Sequence, residues 1–334
     1  MQDPVRALSR VLILSLALAL CGCSPRFSLM GQAGQDPLKQ YDLEGKGRGK
    51  VLALWVTGFI GAGSRQGLLG SRPGALQEAA AVLRKAREDR EIKALVLFVD
   101  SPGGTVAGSD LLLGEIEAFK AATGAKVVAQ ALTVCASGGY YAALGADEIQ
   151  ALPSSLVGSV GTVFITPKLA GLMGKIGVEA EVAKSGDLKD MGSPFRPSTE
   201  EERRLAAELT EQLNRGFLAL LDARRSLAPA ARAEVARAGV YSGSRALELG
   251  LVDRLGHPAD AVARARTLAG LPPDARLVAY RRQKVHDDTL YNTATADYGA
   301  DAPRSLVPDL SSMGLPLEAG CYYLWPQALP GGGR

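Results

Sequence analysis

The chain has 334 residues and a mass of 34.9 kDa, enough for one large domain or two ordinary ones, and its 47% hydrophobic and 22% charged residues exclude a disordered or fibrous protein. Thirty-eight Lys and Arg against 35 Asp and Glu leave a net charge of +3 with no basic block, which excludes a nucleic-acid footprint. Only two histidines are present, His257 and His286, which limits both histidine-based catalysis and multi-histidine metal sites.

Arg6 and Arg10 precede an apolar run, Val11 to Leu20. At about 1.5 Å per residue this run is short for a hydrocarbon core of about 30 Å, so it reads as the core of an export leader. It ends in Leu20-Cys21-Gly22-Cys23, which resembles a bacterial lipobox with Leu at −3, Gly at −1 and Cys23 as the lipidated residue. The expectation is a leader over residues 1–22 and a lipid anchor at Cys23, tying the rest of the chain to a membrane of the bacterial cell envelope on its extracytoplasmic side. An ordinary leader or an uncleaved anchor is the alternative. Export permits a Cys135–Cys321 disulfide or leaves two unpaired thiols.

Residues 23–49 carry Gly, Gln, Asp and Lys with little periodicity and read as a tether. From Lys50 the pattern changes. Val51–Val56 is a buried strand, Ala75–Arg90 has helical spacing, and Ile92–Asp100 is a strand closed by Ser101-Pro102-Gly103-Gly104. A helix through Leu111–Ala121 and a strand at Lys126–Leu132 follow. This alternation predicts an α/β domain with a mainly parallel sheet, over residues 50–280. Thr199 with Glu202 forms a capping box, opening a helix whose Leu205, Leu209, Leu213, Phe217 and Leu221 make one apolar stripe for the core or a subunit contact. Residues 281–334 read as an irregular tail with a Tyr-Tyr-Leu-Trp-Pro cluster near its end.

Three segments carry chemistry. Asp100–Gly104 places glycines at a strand end, where backbone N–H groups can face a developing negative charge, although the same sequence suits an ordinary turn. Ser137-Gly138-Gly139 lies between a strand and an Ala-rich helix, where a serine is either a nucleophile near the positive end of the helix dipole or a plain N-cap. Lys184–Asp190 supplies lysines, and a serine nucleophile needs a base. His257 in a turn and His286 beside the tail are poorly placed for that work. A buried lysine can replace histidine when desolvation lowers its pKa from about 10.4 toward 7–8, and Ser159 could hold the amine in line.

Together these segments resemble the signal peptide peptidase SppA family, serine peptidases with a Ser–Lys dyad on a Clp/crotonase-type fold. The resemblance runs through Glu91–Gly104, Cys135–Val163, Ala183–Pro194 and Val240–Asp253, in the family's order. It implies Ser137 as nucleophile, Lys189 as general base, Ser159 as the serine that orients the lysine, and the amides of Gly104 and Gly138 as the oxyanion hole. It further implies hydrophobic peptide substrates such as remnant signal peptides, a homo-oligomer in which Ser and Lys can come from neighbouring subunits, and no cofactor. No metal is expected either, since the cysteines lack zinc spacing. Two rivals remain: a crotonase-like acyl-transfer enzyme, which also pairs backbone amides on an oxyanion, and a non-catalytic lipoprotein scaffold. Export counts against the first, and the presence of both Ser137 and Lys189 against the second.

Overall fold

The computed structural model describes residues 36–63, 65–67, 70–293 and 320–325. The leader and Cys23 lie outside them. In chain order the strands are β1 (Lys39–Glu44), β2 (Gly47–Thr57), the small hairpin β3 (Arg65–Gly67) and β4 (Gly70–Arg72), β5 (Ile92–Ser101), β6 (Gly103–Thr105), β7 (Lys126–Ala136), β8 (Glu148–Ala151), β9 (Leu156–Gly158), β10 (Val163–Ile165), β11 (Val240–Ser242), β12 (Arg254–Leu255), β13 (Ala275–Arg281) and β14 (Gly320–Leu324). The helices are α1 (Ala75–Arg87), α2 (Val106–Thr123), α3 (Gly138–Ala143), α4 (Ala170–Ile176), α5 (Glu200–Arg224), α6 (Pro229–Val235), α7 (Gly243–Glu248) and α8 (Pro258–Leu268).

The main sheet has nine strands in the order β1-β13-β2-β5-β7-β8-β12, with β9 also on β7 and β11 on β9. Every pairing is parallel except β1 with β13 and β9 with β11. Parallel strands covered on both faces need apolar residues at nearly every position, and β5 has them, Ala94–Val99 being fully buried. Successive side chains serve opposite layers. Leu52, Leu54, Leu95 and Leu97 pack toward α1, α2 and α5, whereas Val51, Ala53, Val96 and Phe98 face α8. Burial of each such side chain stabilises the domain by roughly 1.5–3 kcal/mol. The expected α/β class, mainly parallel sheet and flanking helices are therefore observed.

Two boundaries differ from the sequence reading. The tether expected to reach residue 49 gives way to strand by Lys39, because Lys39–Glu44 finds open hydrogen-bonding positions along β13. The tail does not begin as irregular chain at 281. Arg281 is fully buried, lies 4.4 Å over the Trp55 ring, and pairs with Asp288 at 3.1 Å, while Trp55 Nε1 donates to the Leu290 carbonyl at 3.0 Å. A cation over an indole face is stabilised by the ring quadrupole, which folds this first part of the tail back onto the sheet. Residues 320–324 then form β14, the middle strand of a second sheet, β10-β14-β6.

Helix α5 is capped as expected: Thr199 Oγ1 accepts from Glu202 N at 3.1 Å, and the Glu202 carboxylate accepts from Thr199 N at 2.8 Å. Of its apolar stripe, Phe217 and Leu221 enter the core, while Leu209 is 39% exposed. Among the described residues no helix is long and apolar enough to cross a membrane.

Candidate active site

The parallel strands β5, β7 and β9 end side by side, and the turns that follow them form one floor. Ser101 stands opposite Cys135, and Ala136 opposite Gly158, so the residues just beyond these strand ends meet. The Asp100 carboxylate accepts from Val134 N at 3.0 Å and fixes the end of β7 against that of β5. Ser101 Oγ donates to the Gly58 carbonyl at 2.6 Å and accepts from Gly103 N at 3.1 Å, which holds the turn leading to Gly104. Neither role was apparent from sequence. An Asp-Ser pair before Pro-Gly-Gly is the only local signal for them.

Ser137 leaves β7 with φ 51° and ψ −116°, a conformation that non-glycine residues rarely adopt. Such strain costs on the order of 1–3 kcal/mol and persists only where neighbours impose it. Here Ser137 N donates to the Gly158 carbonyl at 2.7 Å, and the Ser137 carbonyl accepts from Tyr141 N at 2.8 Å to start α3. Ser137 is therefore no ordinary N-cap: its side chain makes no capping bond, and its hydroxyl lies 3.5 Å from the Gly161 carbonyl. Ser159, 8% exposed, also has a positive φ of 51°, and its N–H donates to Gly239 O at 2.7 Å.

Gly104 and Gly138 approach each other across this floor. A methyl group on Gly138 would sit 2.2 Å from Ser109 Oγ and 3.1 Å from Gly104 N, and one on Gly104 would sit 1.8 Å from the Ile60 carbonyl. Gly104 therefore requires glycine because another backbone touches it, and at Gly138 the Ser109 hydroxyl takes the space a side chain would need. The structure thus gathers four of the sequence-predicted residues: Ser137, Gly138, Gly104 and Ser159.

Strand β14 covers them. It runs antiparallel to β6, with Tyr323 opposite Gly104, and antiparallel to β10 on its other side. Trp325 N donates to the Pro102 carbonyl at 2.8 Å. Hydrogen-bonded pairs alternate along an antiparallel ladder, so Tyr323 and Gly104 form the next such pair. The Tyr323 carbonyl also lies 3.0 Å from the position a Gly138 methyl would take. The Tyr323 ring packs 5.1 Å from Tyr141 and 4.7 Å from Phe217, and its hydroxyl donates to the Leu213 carbonyl at 2.9 Å. Burial and the nearby Asp110 carboxylate push the Tyr323 phenol up to about 12.

Lys189 is not brought to Ser137. It lies exposed in a turn, and among the described residues its side chain makes no hydrogen bond or ion pair. The buried amine expected of a base is not formed within one chain, because the 168–195 segment has little of the same chain beside it: α4 has no buried residue. His257 and His286 are exposed, and the His257 N–H is capped by Asp260 at 2.8 Å. Cys135 and Cys321 are unpaired, and burial together with Asp100 pushes the Cys135 thiol up to about 12.

Comparison with known proteins places these residues in a family context. The sequence profile of Peptidase family S49 matches residues 120–272, a stretch containing Ser137, Ser159 and Lys189. A protein assigned as a protease in Synechocystis sp. is 36% identical over 227 residues, 68% of this chain and 77% of that one. One assigned as a signal peptide peptidase SppA in Enterococcus faecium is 31% identical over 238 residues, 71% of this chain and 69% of that one. Among solved structures, a membrane-bound stomatin-specific protease is similar with a TM-score of 0.42 and 15% identity, over 72% of this chain and 96% of that one.

Proposed function

The chain belongs to peptidase family S49 and is a serine peptidase of the signal peptide peptidase type; we propose that it cuts extended hydrophobic peptides at a membrane, with Ser137 as nucleophile and Lys189 as base. The observation that carries this reading is the position of β14. An extended peptide segment lies between β6 and β10, with a backbone carbonyl against Gly104 and Gly138 beside the strained Ser137. Addition of a strand to a sheet edge is a recurrent way of holding a peptide.

In this mechanism Ser137 Oγ attacks the peptide carbonyl carbon while its proton passes to the neutral Lys189 amine. The N–H groups of Gly104 and Gly138 take the developing oxyanion, and loss of one such donor typically costs about 10²–10³ in rate. Collapse of the tetrahedral adduct expels the amine, which takes its proton from Lys189. Water, giving a proton to Lys189, then attacks the ester, and collapse releases the carboxylic acid as Lys189 returns that proton to Ser137 Oγ. Ser159 orients the Lys189 amine.

Because Lys189 is exposed within one chain, the reading includes a homo-oligomer in which Lys189 of one copy meets Ser137 of another. The uncovered Leu172, Ile176, Val182, Leu188 and Phe195 support that packing, as does the open N-terminal half of the α5 stripe. The membrane tether is the lipid on Cys23, and remnant signal peptides are the substrates.

The test is hydrolysis of a hydrophobic signal-peptide substrate by the full chain in detergent, together with a serine-reactive acylating probe. Labelling of Ser137, and loss of nearly all hydrolysis in Ser137→Ala and Lys189→Ala, is the expected result. Full activity in either variant overturns the dyad. Labelling elsewhere, with turnover of a CoA thioester, would favour the crotonase-like alternative.

A further inference from the structure

The turn that carries Lys189 is held by an ion cluster whose centre is Arg196. Arg196 donates from Nε and Nη2 to the two oxygens of Asp190, each at 2.8 Å, and from Nη1 and Nη2 to the two oxygens of Glu202 at 3.0 and 2.5 Å. Lys184 Nζ donates to Asp190 Oδ1 at 2.8 Å and to the Asp187 carbonyl at 3.0 Å. Glu202 belongs to the capping box of α5, so the cluster joins the Lys189 turn to the start of that helix. The turn itself closes through Lys189 N to Gly186 O at 3.1 Å, Met191 N to Leu188 O at 3.0 Å and Ser193 N to Asp190 O at 2.9 Å.

This is not an ordinary surface pair. The Glu202 side chain is 3% exposed and that of Asp190 14%, and a guanidinium gripping two carboxylates by paired bonds fixes direction as well as charge. Bonds from Arg196 and Lys184 hold the Asp190 carboxyl well below the usual carboxylate range. The four side chains sum to zero charge, so the cluster carries no net charge.

That balance matters for the neighbour in sequence. A general-base lysine must lose its proton near neutral pH, and a free carboxylate on the adjacent residue would oppose this by stabilising the ammonium form. The charged groups about the turn are Lys184, Asp187, Asp190 and Arg196 from the segment itself, Lys168, which donates to the Ser193 carbonyl, and Glu202 and Arg203 from α5. Of the two carboxylates beside Lys189 along this segment, Asp190 is directly adjacent, and it is the one the cluster neutralises. We propose that Arg196 is a positioning residue for Lys189, holding its turn on the end of α5 and neutralising the carboxylate of Asp190, the next residue along the chain. This rests on the reading of Lys189 as the base.

The experiment is the pH dependence of kcat/KM on a hydrophobic peptide substrate, using the full chain in detergent. Arg196→Ala, Arg196→Lys, Arg196→Ala with Asp190→Asn, and Lys189→Ala are compared with wild type. Arg196→Ala should lower kcat about tenfold with KM little changed, and raise the acid limb of the profile by about half a pH unit or more. Adding Asp190→Asn should return the limb to its wild-type position. Arg196→Lys keeps the charge and loses the paired grip, so it should lower kcat with the limb in place, and it carries the test if the alanine variant fails to fold. A limb that stays at its wild-type pH in Arg196→Ala, or that Asp190→Asn does not return, overturns the proposal. Activity retained in Lys189→Ala would instead overturn the base assignment on which it stands.

Discussion

Tyr323 stands directly opposite Gly104 although 219 positions separate them in the chain. The pairing places the end of the tail on β6, whose Gly104 is proposed as an oxyanion donor, so the groove proposed for substrate is filled by the protein's own backbone. A peptide substrate that binds there must displace this strand.

Removing residues 320–334 is accordingly expected to raise kcat/KM for a short peptide substrate several-fold. Tyr323→Pro should act in the same direction, because proline removes the N–H from a hydrogen-bonded pair of the ladder. Steady-state kinetics on the two variants check this. Unchanged kinetics in both would mean that β14 leaves the groove at no cost, or that substrate binds elsewhere.

Mixing two inactive variants tests whether the site spans copies. Ser137→Ala supplies an intact Lys189 and Lys189→Ala an intact Ser137. If the pair forms between neighbouring chains, co-assembly after dissociation should recover up to about a quarter of wild-type activity, since statistically mixed contacts then contain some complete pairs. No recovery in verified mixed assemblies would place both residues of each pair on one chain.

Gly138→Ala brings a methyl group within 2.2 Å of Ser109 Oγ at the mouth of the site. The variant should lose about 10²–10³ in kcat through displacement of the amide. Ser109→Ala removes the hydroxyl and should recover part of the loss, because the contact partner is a side chain. Gly104→Ala meets the Ile60 carbonyl at 1.8 Å, which is backbone, so no single side-chain change should rescue it. Melting temperatures recorded alongside separate lost folding from lost rate.

Acid should loosen the start of α5. Bonds from Arg196 and from Thr199 N lower the Glu202 carboxyl from 4.5 to about 2. A carboxylate whose folded value is depressed stabilises the fold above its unfolded value, and that contribution is lost as pH falls from about 4.5 through about 2. Melting curves followed by circular dichroism should show Glu202→Gln less stable than wild type at pH 7 and nearly equal to it at pH 2. A gap between the two proteins that is the same at every pH would count against this assignment.

How much of this could be read from the chain alone depended on how local each cause is. The strands Val51–Val56 and Ile92–Asp100, the helix they enclose and the Thr199–Glu202 cap follow from patterns within a few residues, and all four are observed. Ser137, Ser159, Gly104 and Gly138 were singled out by the resemblance rather than by local pattern, because a small residue after a strand also suits an ordinary turn or cap. The roles of Asp100 and Ser101 were not, since an Asp-Ser pair in a turn has many local explanations.

The order of elements and the residue types at each turn follow from short-range pattern, since backbone propensity and side-chain alternation act over short spans. Tertiary structure decided which of these meet. Only the fold could recruit Lys39–Glu44 to β13, seat Arg281 over Trp55, and lay Tyr323 against Gly104, because an unpaired strand edge carries no mark of the distant segment that will satisfy it. The same holds for Lys189. Residue type suits it to be a base, but whether its amine is desolvated depends on what packs over it, and burial is a property of neighbours that no stretch of one chain specifies.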